Sequence, residues 1–200
     1  MHGLKIAVVV VSALAAHAAC AASDLRACVG KICVRPRISL EKEVIATYGP
    51  GFLVRGGAAG LEDDRTRCYR DTASKSYVLV TFWHAHGTQM RVSEVFVSTE
   101  KLCQHPAPAA RPFGPVRFGV PIAIGDSEAS VAKKLGRPQR VDDSKELEAE
   151  DPKLLDEPGF GSRYGEKKWV YSPEGEDSLL GWTIHFHAGK VKSLGLLDSP

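Results

Sequence analysis

Apolar and polar positions along the chain change period several times, and the changes outline a repeat. Between Cys68 and Gly87 the pattern is that of a strand pair. Val78, Val80 and Phe82 fall on one side of the run Tyr77–Trp83, because alternate residues of an extended chain face the same way. The stretch recurs without a gap as Val170 to Gly189, with Tyr69 over Tyr171, Ser76 over Ser178, Thr81 over Thr183 and Gly87 over Gly189. Recurrence at this spacing bears on architecture before any local propensity is weighed.

Ahead of each copy the period becomes helical. Ser39 to Gly49 carries Leu40, Val44 and Tyr48 on one face, with Ser39 as the expected N-cap and Gly49-Pro50 as the stop. Asp126 is the expected N-cap of a second helix that ends at Gly136, and Glu41 and Val44 then match Glu128 and Val131. Strands are expected at Cys68–Arg70, Ser76–Ala85 and Arg91–Ser98, and again at Trp169–Tyr171, Ser178–His187 and Lys190–Leu196. The expected fold class is therefore α+β, two tandem units each made of a helix and a three-stranded antiparallel meander. The units are placed at residues 23–102 and 118–200. Between them, 103–117 holds four of the twelve prolines and reads as a linker. The offset between copies is 87 in the helices and 102 in the strands. The 15 extra residues of the second unit fall in acidic Asp142–Glu157, read as a solvated helical insertion. Glycine-rich Phe52–Gly60 lacks the Gly-Lys-Ser/Thr of a phosphate loop and reads as a connection.

The first 22 residues change the picture of where the protein works. Lys5, an apolar core from Ile6 to Ala16 and small residues after it form the pattern of a secretory signal. It is too short for a resident membrane span, and no later apolar run reaches that length. Cleavage can follow Ala18, Ala21 or Ala22; the two later sites are favoured because they discard Cys20 and leave four cysteines, an even set that suits a periplasmic or secreted protein. A lipid anchor at Cys20 is disfavoured, because His17 stands where such signals carry Leu. Of 26 basic and 24 acidic residues only Lys5 is lost, so the remaining chain is close to neutral. That balance exerts no long-range pull on nucleic acid or anionic lipid.

Cys28 and Cys33 lie close enough in sequence for a local disulfide, and Cys68 with Cys103 then follows by exclusion, although four cysteines allow three connectivities. Zinc is the alternative for the first pair, and it lacks a second close Cys or His pair. No nucleophile, triad or carboxylate pair stands out, so no enzyme activity and no cofactor are expected. His84 with His86, and His185 with His187, each share a strand face, and His-x-His can bind zinc or copper. Periplasmic metal binding through these pairs is the second reading. The first concerns the strand side opposite the core, where Tyr77 and Trp83 are joined by His185 and His187. Aromatic side chains on an otherwise polar sheet face are usual anchors of protein interfaces. Burial between the two units is the structural alternative.

A short helix with Glu41 or Glu128 in its first turn and Gly49 or Gly136 at its end, followed by a tyrosine-bearing meander, resembles the SmpA/OmlA (BamE) family. Two such units in tandem, exported and disulfide-bearing, are similar to the architecture of the β-lactamase inhibitory proteins. The resemblance covers roughly 38–98 and 122–197 and implies modules that present a sheet face to another protein of the cell envelope. The expected function is a non-enzymatic periplasmic binding or inhibitor-like protein.

Overall fold

Residues 27–35, 38–54, 65–84, 89–143, 166–172 and 180–198 are described by the computed structural model. The expected signal segment with Cys20, the glycines at 56–60, His86 and residues 144–157 of the acidic insertion lie outside them, as does the side chain of His84. Ala27–Val29 (β1) and Ile32–Arg35 (β2) form a hairpin. Helix α1 (Glu41–Tyr48) follows, then Phe52–Val54 (β3), Arg65–Asp71 (β4), Ser76–His84 (β5) and Met90–Ser98 (β6). Three short strands, Ala107–Pro108 (β7), Val116–Phe118 (β8) and Val120–Ile122 (β9), lead to α2 (Glu128–Leu135). Arg140–Asp143 (β10), Lys167–Tyr171 (β11), Leu180–His187 (β12) and Lys190–Asp198 (β13) complete the chain.

The protein is mostly β, which corrects the α+β expectation. Each unit contributes four strands rather than three, and the two sets join edge to edge through β6 and β13. The result is one sheet in the order β10-β11-β12-β13-β6-β5-β4-β3, with β7 added parallel to β4. A second sheet, β2-β1-β8-β9, comes from stretches with no visible period. Strands of three or four residues are too short to display an alternation of two, so pattern alone passes over them. Each helix spans only eight residues.

One apolar core joins these parts. It takes Val78, Val80 and Phe82 from β5, Trp182, Ile184 and Phe186 from β12, Val44 and Tyr48 from α1, and Val131 from α2. The small sheet adds Val29, Val34 and Phe118, and the Phe118 ring stacks on Trp182 at 5.0 Å. The helices and the small sheet therefore cover one side of the large sheet, called here the near side. Residues 103–117 carry Phe113 into this core, stacked on Tyr48 at 4.0 Å and edge-on to Tyr69 at 5.3 Å. Buried Asp71 accepts the Phe113 backbone N–H at 3.1 Å, and Tyr48 accepts that of Lys31. Gly30, at φ +58°, lets the β1–β2 turn approach the Phe113 carbonyl where any Cβ would collide.

The helix caps differ from expectation. Ser39 is not the N-cap of α1; its hydroxyl accepts the Cys33 N–H at 3.0 Å, while the Glu43 carboxylate accepts the N–H of Leu40. At α2 the cap is Ser127, whose Oγ accepts the Ser130 N–H, and Asp126 instead binds the Ala123 N–H and Lys134.

The copies recur in space, but not in gapless register. Tyr69 donates to the Gly49 carbonyl at 3.1 Å and Tyr171 to the Gly136 carbonyl at 3.2 Å, so these tyrosines are equivalent. Burial pushes both phenols up to about 12. Tyr69 faces Val78 across its hairpin, whereas Tyr171 faces Trp182. The next strand has therefore slipped by two residues: Thr81 corresponds to His185, and Trp83 to His187. Bulges confirm the slip, since they fall between Thr81 and Phe82 in one unit and between His185 and Phe186 in the other. A slip of two keeps every side chain on its own face, so hydropathy cannot detect it.

Candidate binding face of the large sheet

The far side of the large sheet carries every residue assigned to a binding face, and strand register places each one. Tyr77 lies in one row with Ser98, Ser193 and His185, because Tyr77 pairs with Ser98, Ser98 with Ser193 and Ser193 with His185. Three strand spacings separate Tyr77 from His185, about 14 Å. Trp83 faces Arg91 at one end of the sheet, and His187 faces Lys190 at the other. The four residues do not form one patch. Tyr77 and the two histidines share an end, and Trp83 stands at the opposite one.

Their surroundings differ as well. Tyr77 packs against a small cluster made by Leu79, Phe96, Leu102 and the Cys68–Cys103 disulfide. His185 is buried at 2% exposure, with the Phe96 ring edge-on at 5.8 Å. Burial holds its imidazole down at about pKa 3, helped by the Lys168 and Lys192 cations against a smaller opposing pull from Asp142. His185 is thus neutral near pH 7. Lys168 is in turn bound by Asp142 at 3.3 Å, Asp142 also holds Arg140 at 2.9 Å, and Lys192 holds Glu100 at 2.7 Å. His187 is exposed, with Nδ1 3.2 Å from Glu166. Among the described residues no three His, Cys, Asp or Glu side chains are grouped as a metal centre requires.

The centre of the face is built around a glycine. Phe96 and Gly195 face each other across the β6–β13 seam and occupy the same position of the two units, so an approximate two-fold axis passes between them. A Cβ on Gly195 would meet Thr183 Oγ1 and stand 3.3 Å from the Phe96 ring. The bare backbone gives that ring room to reach His185.

At the Trp83 end the row reads Leu197, Glu94, Thr81, Thr66 and Val54, with the two threonine hydroxyls 3.2 Å apart. Leu197 is 43% exposed and Trp83 half-buried. No helix or strand among the described residues lies over this end. Leu197 was missed in the sequence because the expected strand ends at Leu196, and the short run Leu194-Gly195-Leu196-Leu197 puts apolar residues on both sides, which does not reveal which side is covered. Both disulfides, Cys28–Cys33 and Cys68–Cys103, are present. They fit an oxidising compartment. No helix among the described residues is long and apolar enough to cross a membrane.

Comparisons with protein-family models, curated proteins and solved structures find no match to this chain.

Proposed function

We propose that this is a non-enzymatic, inhibitor-like binding protein of the cell envelope, exported to the periplasm or beyond, that engages another protein through the Trp83 end of the large sheet. One observation carries the reading. The near side of the sheet is covered by two helices and a second sheet, whereas at this end of the far side Leu197 is 43% exposed beside a polar threonine row. An aromatic and an aliphatic anchor within a polar surround is the composition of an interface centre. The apolar leader pattern and the even set of cysteines support the location, and the likeness to envelope assembly and inhibitor modules points to a protein as the partner.

Capture from an envelope extract tests the reading. The partner retained by the wild-type protein is expected to lose tenfold or more in affinity with Trp83→Ala or Leu197→Asp, and to be kept by Lys133→Ala on exposed α2. Equal retention by all four proteins overturns the proposed face.

A further inference from the structure

The two disulfides sit in opposite settings. Cys68 and Cys103 are 0% and 7% exposed inside a closed apolar cluster, where a thiol has no approach. Cys33 is half-buried and lines an open cavity of about 310 Å³ between the β1–β2 hairpin and α1. Cys28 does not line it. Thiolate attack on a disulfide proceeds through a mixed disulfide and needs access to one particular sulfur. Cys33 is the half of the bond that borders the cavity and is not fully buried, so attack is assigned to its sulfur. The cavity also holds Lys31, which attracts an anion, and Glu43, whose carboxylate is engaged by the Leu40 N–H. On its other side Cys28 faces Arg117 in the β1–β8 ladder, where the Cβ atoms of such cross-strand neighbours lie about 5 Å apart, so the exposed Arg117 side chain can swing its guanidinium toward the Cys28 sulfur. A cation there favours a departing thiolate.

We propose that Cys28–Cys33 is a thiol-exchange site, opened by a dithiol reductant that enters this cavity. A reductant thiolate bonds to Cys33 Sγ, the Cys28–Cys33 bond breaks, and Cys28 leaves as a thiolate that takes a proton from water. The second thiol of the reductant, deprotonated, then attacks the mixed disulfide. The reductant departs oxidised, and Cys33 is released as a thiolate and protonated. The hairpin keeps its shape throughout. The Cys33 N–H donates to Ser39 Oγ at 3.0 Å, and the Cys33 carbonyl accepts the Ser39 N–H at 2.9 Å. Gly30 N–H donates to the Pro115 carbonyl, and Lys31 N–H to the Tyr48 hydroxyl. Closure on re-oxidation is therefore preorganised, and the device is reversible. This inference is independent of the binding face, which lies on the far side of the large sheet.

Graded dithiothreitol under native conditions tests it, with acid quenching, maleimide alkylation and peptide mass mapping. Cys28 and Cys33 are expected to be alkylated at least tenfold faster than Cys68 and Cys103, with an unchanged circular dichroism spectrum. Glutathione in place of dithiothreitol should be trapped on Cys33, and Arg117→Gln should slow opening several-fold without changing the Cys68–Cys103 rate. Equal rates for the two bonds, opening only together with unfolding, or an adduct confined to Cys28 each overturn the proposal. An unchanged rate in Arg117→Gln overturns the role of Arg117.

Discussion

The large sheet has two wings, β3–β6 and β10–β13, and on its far side β5 presents Tyr77, Leu79, Thr81 and Trp83, while the equivalent positions of β12 are Gly181, Thr183, His185 and His187. On the near side the same two strands present Val78, Val80 and Phe82 against Trp182, Ile184 and Phe186, all buried and all apolar. The contrast has a physical origin. Near-side residues are enclosed by the helices and the small sheet, and a polar replacement there would lose its water without a partner. Among the described residues no helix or second sheet covers the far side, and its Trp83 end leaves Leu197 43% exposed, so the wings are free to differ. Their differences meet at the seam, where Phe96 of one wing leans over Gly195 onto His185 of the other.

If the near sides are truly equivalent, truncation should cost the same in each. Phe82→Ala and Phe186→Ala are each expected to lose about 3–5 kcal/mol, as for buried phenylalanines generally. Urea unfolding would read both, and a difference above about 1.5 kcal/mol breaks the equivalence.

His185 separates the wings by pH. Above about pH 6.5 the imidazole is neutral in folded and unfolded chains alike, and its contribution is complete there. As pH falls, the unfolded chain takes up the proton while the folded one resists until about pH 3, so stability is lost on acidification. The loss is at most about 1.4 kcal/mol per pH unit, and so up to about 3 kcal/mol by pH 4.5. His185→Thr, which copies Thr81 of the first wing, should flatten the profile over that window. Parallel profiles for mutant and wild type would contradict the buried neutral imidazole.

The helix anchors offer a smaller contrast. Glu41 accepts from Arg67 Nε and Nη2 at 2.9 and 2.7 Å with both side chains largely buried, whereas Glu128 accepts from Lys167 with both near one-third exposed. Glu41→Gln should cost about 2 kcal/mol, because it strands the Arg67 charge. Glu128→Gln should cost less than about 1 kcal/mol and lose most of that in 1 M salt. Equal costs in thermal melts would erase the distinction.

Much of the core was legible in the chain itself. The apolar run Tyr77–Trp83 and its echo located both central strands, the set Val78, Val80 and Phe82 is the buried side it was expected to be, and the glycines at 49 and 136 marked both helix ends. The cysteine spacing allowed the two disulfides that are present. The α+β class was not right, because short strands leave no period and because edge-to-edge joining of β6 and β13 depends on contacts about 100 residues apart.

By itself the sequence determined which residues are apolar, which of them alternate, and that one pattern occurs twice, since these are properties of side chains and neighbours. The tertiary structure decided the rest. Turn length set a two-residue slip that no hydropathy pattern records, and pairing across the seam set which far-side residues share a row. His185 and His187 are alike as residues two apart on one strand. One is buried under Phe96 and the other stands in water, and only the packing around them makes that difference.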